Sequence, residues 1–267
     1  MPQHSIVNVL SRPCPSESTA TPHETRHSRL PEVTYRDLDL ADLPAISSIH
    51  VAAFRDNVIA MLGEKVARQY YRWQLVGPHD VTAVGAFSKT KMLGYCFGGT
   101  FRGSLSGFIR KHWRRLAIHI SMRPWLVTNS LFRKRIALGA QLVRRHGKRK
   151  AAAPDSKNSL ASSFGILAIA VNPDSRGCGI GGSLLRLITA HAHQRGFQRM
   201  HLTVHPENSE VVEIYEHLGW KKVLNEGEWG GSMHRAIDAS DAVWSPTERH
   251  GDSVAWPAQA GKRSNGT

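Results

Sequence analysis

The chain has 267 residues, 41% of them hydrophobic, with 35 Lys and Arg against 21 Asp and Glu for a formal net charge of +14. No run approaches the ~20 apolar residues of a membrane-spanning helix and the N-terminus lacks an apolar signal stretch, so a soluble cytoplasmic protein is expected. Cys14, Cys96 and Cys178 share no ligand spacing, and none of the 15 histidines falls in an HExxH or finger pattern, so no metal is expected.

In chain order, residues 1–31 are rich in Pro, Ser, Thr and His without periodicity and read as a disordered tail, as do residues 240–267. Between them, 32–239 read as one domain. Val33 to Arg36 predicts a strand. Ala41 to Phe54 predicts a helix capped by Asp39, with Leu43, Ile46, Ile49 or His50, and Phe54 on one side. Asn57 to Leu75 reads as a second helix. Val81 to Phe87 and Met92 to Thr100 predict a hairpin across Ser88 to Lys91.

The charge is concentrated after this hairpin. Residues 101–150 hold 14 Lys and Arg and no Asp or Glu, an excess equal to that of the whole chain. Ile109, Trp113, Leu116 and Ile120 recur at helical spacing among Arg110, Lys111, Arg114 and Arg115, which predicts an amphipathic cationic helix within a basic insertion over 101–160. A second basic stretch runs from Arg133 to Lys150, and Pro124 is a candidate bend.

The apolar run Phe164 to Val171 predicts a buried central strand. The glycine-rich turn Arg176-Gly177-Cys178-Gly179-Ile180-Gly181-Gly182 joins it to a helix from Gly181 to Arg195. A helix start exposes unpaired N–H groups and the positive end of the helix dipole, so such a turn is a phosphate cradle. Gly182 is followed by Ser183 and Leu184 rather than Lys-Ser or Lys-Thr, which excludes a P-loop. Gly177, Gly179 and Gly182 satisfy the dinucleotide fingerprint, with Glu207 beyond the next strand. Too little patterned sequence remains after Trp220, however, for the further strand-helix units of a Rossmann domain. Arg199 to His205 predicts a strand, Ser209 to Leu218 a helix closed by Gly219, and Lys221 to Leu224 and Ser232 to Ile237 the final strands.

Residues Leu167 to Trp220 resemble the GNAT family of acyl-CoA-dependent N-acyltransferases. Ile169-Ala170-Val171-Asn172-Pro173 is similar to that family's central strand and exit. Arg176-x-x-Gly179-x-Gly181 is similar to its acyl-CoA signature, and Asn208 followed by Tyr215 in Ile214-Tyr215-Glu216-His217-Leu218-Gly219-Trp220 is similar to its closing motif. The resemblance implies an α/β fold: a single domain with a mixed central sheet of six to seven strands flanked by helices, here interrupted by the basic helical insertion. It also implies acetyl-CoA as co-substrate and direct attack of an amine on the thioester in a ternary complex.

Carried residue by residue, the resemblance implies that the amides of Gly177, Cys178, Gly179, Ile180, Gly181 and Gly182, aided by the Arg176 side chain, hold the diphosphate. The backbone of Ile169, Ala170 and Val171 pairs with the pantetheine arm, and Asn208 orders the loop beside it. Tyr215 protonates the departing thiolate, although it also completes an apolar stripe with Val211, Ile214 and Leu218. Ribosomal-protein N-terminal acetyltransferases of the family typically carry glutamate just before the valine of the following strand. Thr203 stands there, so His205 is the first candidate for general base and Glu207 the second.

These residues point to acetyl transfer to a primary amine of a small or saccharide-like acceptor, itself anionic or sugar-linked. A protein N-terminal or lysine acceptor, and a CoA-binding, membrane- or RNA-associated protein without catalysis, are the alternatives. For the insertion, a helical lid, peripheral attachment to an anionic membrane at its inner face, and nucleic-acid binding compete, the last disfavoured because no nucleic-acid module accompanies the charge.

Overall fold

A computed structural model describes residues 6–7, 33–101, 104–130, 132–133, 163–225 and 227–242. The expected tails, apart from residues 6–7 and 240–242, lie outside the described residues, as do Cys14, the second basic stretch beyond Arg133 and the rest of the insertion to 160.

The elements are β1 (Ile6–Val7), β2 (Val33–Asp37), α1 (Leu43–Ala53), α2 (Val58–Met61), α3 (Glu64–Val76), β3 (Asp80–Ser88) and β4 (Lys91–Thr100). They continue with α4 (Ser104–Ser121), α5 (Pro124–Thr128), β5 (Phe164–Val171), α6 (Ile180–Gln194), β6 (Arg199–Thr203), α7 (Ser209–His217), β7 (Lys221–Asn225) and β8 (Glu228–Ala236). Strands β2-β3-β4-β5-β6-β8-β7 form one mixed sheet in that order, with β1 beside β5 off the main path.

Local chemistry accounts for the boundaries. Asp39 accepts from the Ala41 N–H while Asp42 accepts from the Asp39 N–H, a reciprocal cap on the 3-10 turn leading into α1. The single helix expected over 57–75 is two helices. Asn57 caps the first by accepting from the Ile59 N–H, and Gly63, at φ +89°, turns the chain before Glu64. Ile6 and Val7, within the stretch read as a tail, run parallel to β5 opposite Ala168 and Ile169.

Strand alternation divides the core between the two faces of the sheet. Tyr95 and Phe97 of β4, with Ala168 and Ala170 of β5, pack under α1, α3 and α4. Cys96, Ile169 and Val171 face the other core with α6 and α7. The register of β4 on β5 passes from Phe97–Ala168 to Gly98–Ile166, so Leu167 is bulged and shares the first face with Ala168. A bulge bends its strand and increases local twist. Pairing of β5 with its parallel neighbour β6 covers only Phe164–Met200 and Gly165–His201, just before that bulge. Beyond Gly165 the two strands part.

Candidate active site

The parting of β5 and β6 leaves the edge of Ile166 to Val171 on the β6 side without β6 partners among the described residues. Strand amides on such an edge have hydrogen-bonding capacity that an extended chain can take up. Ile169, Ala170 and Val171 all lie in this stretch, with β4 occupying their opposite edge through Cys96, Tyr95 and Gly94. β1 occupies part of the open side, at Ala168 and Ile169.

Val171 leads through Asn172 and a short 3-10 turn, Pro173–Ser175, to the glycine turn and α6. The Asn172 N–H donates to the Leu93 carbonyl at 2.7 Å, and its side chain accepts from the Asp174 N–H at 3.2 Å, anchoring the strand exit. Gly177 and Gly179 sit at φ +79° and +71°, left-handed conformations that let the chain reverse into the helix. Gly179 is the cap residue of α6 and supplies no side chain to it. The first-turn N–H groups of Ile180, Gly181 and Gly182 have no intrahelical acceptor, whereas Ser183 bonds back to the Gly179 carbonyl at 3.1 Å. A Cβ added to Gly182 would meet no atom within 4 Å, so a ligand can approach the first turn closely.

Two cations converge here. The Nε of Arg176 is buried without a hydrogen-bond partner among the described residues, and the group's pKa is pushed down by burial and then by the Arg55 charge. Among the described residues, neither arginine forms an ion pair. Arg176 is half-buried, and its buried Nε, left without a partner in the field of a second positive charge, is relieved when an anion supplies the missing contact. The donor set therefore fits a phosphate: main-chain N–H groups at a helix start and the Arg176 side chain, with the Arg55 charge adding to the local positive field. Arg55 carries no signal of its own in the sequence, where it is one more cation after a predicted helix.

Tyr215 lies in α7 within the core that also contains Cys96, Ile169 and Val171, and Val211, Val212 and Ile214 are buried on the same helix. Its ring meets that of Trp220 edge to face, with centroids 5.7 Å apart. Burial, reinforced by Cys96, raises the phenol's pKa well above its ordinary value, so its proton is retained. Asn208 precedes α7 as its cap residue, with no side-chain cap bond. His205 is half exposed beyond the end of β6, its Nδ1 3.8 Å from a Glu207 carboxylate oxygen. The two base candidates thus adjoin each other at the end of β6, while Tyr215 sits in the core.

On the opposite face lies a buried polar cluster that sequence spacing does not reveal. The His50 Nδ1 is 2.9 Å from the Tyr71 hydroxyl and 3.2 Å from that of Tyr95, and the two hydroxyls are 2.9 Å apart. Tyr95 pairs across the sheet with Ala170. Burial lowers the His50 pKa to about 4, keeping the imidazole neutral, and its Nε2 has no partner among the described residues. Its three members come from α1, α3 and β4, so only the tertiary fold brings them together. The one signal in the sequence is a histidine at an otherwise apolar helix position.

Among the described residues no group of three or more His, Cys, Asp and Glu gathers to hold a metal ion. Cys96 is buried and Cys178 half-buried, neither in a disulfide, and the Cys178 thiol donates to the Arg176 carbonyl at 3.8 Å.

Residues 160–220 match the model of the Acetyltransferase (GNAT) family. No curated protein sequence matches the chain. Among solved structures, the chain is similar to the ribosomal-protein-S18-alanine N-acetyltransferase of Escherichia coli, at 15% identity over 77% of this chain and 94% of that one, with a TM-score of 0.43. It is similar to a PaiA N-acetyltransferase of Thermoplasma acidophilum in complex with coenzyme A, at 13% identity over 76% and 98%, TM-score 0.43. A ribosomal-protein-alanine N-acetyltransferase of Brucella melitensis gives 17% identity over 76% and 99%, TM-score 0.45.

Proposed function

We propose that this chain, whose residues 160–220 carry the GNAT acetyltransferase family pattern, transfers an acetyl group from acetyl-CoA to a primary amine of a small or saccharide-like acceptor. The observation that carries this reading is the half-buried Arg176 side chain, whose buried Nε has no partner among the described residues, next to the bare glycine start of α6. In the proposal, the N–H groups of residues 177–182 and Arg176 hold the diphosphate, and the edge that β6 leaves at Ile169, Ala170 and Val171, part of it taken by β1, binds the pantetheine arm.

Bound acetyl-CoA supplies the activated acetyl thioester. The chain's own contribution is position and proton handling. Strand amides from Ile169 to Val171 orient the thioester carbonyl and donate to its oxygen, a contribution of roughly 3 kcal/mol in favourable sites. Tyr215 holds a proton on its hydroxyl within the apolar core and delivers it to the leaving sulfur as negative charge develops there. His205, with Glu207 beside it, takes the amine proton at the mouth. Asn208 orders the turn into α7.

Thr203 at the end of β6, where a glutamate is typical of ribosomal-protein acetyltransferases, favours a small acceptor over a protein N-terminus. The cationic α4 favours an acceptor that carries negative charge of its own, such as a nucleotide-linked or lipid-linked amino sugar. Incubation of the protein with acetyl-CoA and an amine panel, with thiol release and product mass both followed, tests the reading. Thiol release coupled to a product heavier by one acetyl group supports it; CoA binding without turnover on any amine overturns the enzyme reading in favour of a sensor.

A further inference from the structure

Helix α4 has two unlike sides. Along its inner ridge, Ser104 donates to the Gln74 side chain at 2.6 Å and accepts at its carbonyl from the Trp73 indole at 3.0 Å. Phe108 meets the Tyr70 ring edge to face, His112 bonds Gln69 at 2.8 Å, and Leu116 and Ile120 continue the contact with the core. Beyond α4, Arg123 donates to the Met61 and Leu62 carbonyls, so α4 and the following α5 are fixed to the α2–α3 corner. Among the described residues nothing covers the other side. Trp113 is 58% exposed, Ile118 57%, Met122 70% and Trp125 62%, with Ile109 also exposed. Most of the large exposed apolar side chains among the described residues fall on these two helices.

Cations are interleaved with them. Arg110, Lys111, Arg114 and Arg115 are all exposed, Lys111 with its Nζ 4.9 Å from the Trp73 ring centroid, and the sequence from 101 to 150 contains no acid; Glu64 of α3 lines the hollow beside Met122 and Trp125, together with the cationic Lys65 and Arg123. Exposed indole and aliphatic groups prefer to leave water, whereas guanidinium and ammonium groups hold their charge at a polar boundary. A second copy of this chain using the same face would set like charges opposite one another, which disfavours a symmetric dimer. A nucleic acid would satisfy the charges but leave Ile118 and Met122 in water. An anionic lipid surface satisfies both, with indoles at headgroup depth and arginines among phosphates. Among the described residues no helix is long and apolar enough to cross a membrane, so the contact is peripheral.

We infer that the outer face of α4 and the following α5 docks on an anionic bilayer, with Trp113, Ile118, Met122 and Trp125 at the interface and Arg110, Arg114 and Arg115 on lipid headgroups. Docking of this surface does not require the proposed acetyl transfer.

The test is vesicle co-sedimentation of the full chain, with phosphatidylcholine alone or mixed with phosphatidylserine. Binding is expected only to the phosphatidylserine vesicles, weakened by salt and accompanied by a blue shift of tryptophan emission. Trp113→Glu and, separately, Arg110→Glu/Arg114→Glu should each lower partitioning by at least about tenfold. Both change exposed side chains, and an unchanged circular dichroism melt verifies the fold. Because Trp113 lies outside the proposed reaction centre, turnover of a soluble amine should survive its replacement. No binding, equal binding to both vesicle types, or binding that Trp113→Glu leaves intact overturns the inference. So does displacement from vesicles by RNA that binds Trp113→Glu as well as the native chain.

Discussion

Trp220 donates its backbone N–H to the Tyr215 carbonyl at 2.9 Å while the two rings meet edge to face, so the end of α7 is folded back on the tyrosine. This contact, with Gly219 at φ +81° making the reversal, holds the phenol in one orientation within the core shared with Cys96 and Ile169. Tyr215→Phe preserves the ring packing and removes only the hydroxyl. It should lower kcat by about a hundredfold or more while leaving CoA affinity nearly unchanged, a split that steady-state kinetics and calorimetry together resolve. A retained kcat would return Tyr215 to a packing role.

The open space at Gly182 separates ligand binding from folding. An aspartate at the third position of α6 meets no protein atom at its Cβ and places negative charge where the helix dipole favours it. Gly182→Asp should therefore melt at the same temperature as the native chain or a little higher, yet fail to bind CoA because its carboxylate repels the diphosphate. Thermal denaturation paired with CoA titration checks both halves.

The path of the chain explains why only part of the site is legible in sequence. Phe164 to Val171 is readable because a strand buried on both faces is continuously apolar, and the glycine turn because its residue types are themselves the signal. The split between Met61 and Glu64 is hidden, since Leu62 and Gly63 sit within an uninterrupted helical pattern and only the positive φ of Gly63 breaks it. The parting of β5 from β6 is a backbone property tied to the Leu167 bulge, and no side chain announces it. Arg55 and the His50–Tyr71–Tyr95 cluster depend on elements distant in the chain meeting in space.

That cluster gives the protein a pH response. Burial holds the folded His50 pKa near 4, below the ordinary value of 6.5, so between those values the unfolded chain binds a proton that the folded chain does not. Stability should therefore fall as pH drops from 6.5 toward 4, by up to about 3 kcal/mol from His50 alone. His201, also lowered to about 4 by burial, adds to the same fall. Melting temperatures across this range should decline for the native chain and decline less steeply for His50→Gln.

β1 stands on the same open edge of β5 that the proposed cofactor arm would use. If Ile6 and Val7 hold that edge in the free protein, their pairing must be lost when acetyl-CoA binds. Val7→Pro removes an N–H and disfavours the pairing. Its KM for acetyl-CoA should fall by about fivefold, equivalent to roughly 1 kcal/mol of backbone hydrogen bonding, with kcat unchanged. An unaltered KM would mean that β1 and the cofactor do not compete.

The most direct test is isothermal titration of CoA into the native chain and into Arg176→Ala. A saturable heat with the native protein, lost or weakened at least about tenfold when Arg176 is truncated, is the predicted result, because the charge-assisted contacts that complete this half-buried guanidinium are then gone. Absence of heat with the folded native chain, or equal affinity in both proteins, would contradict the assignment of the glycine turn as the diphosphate site.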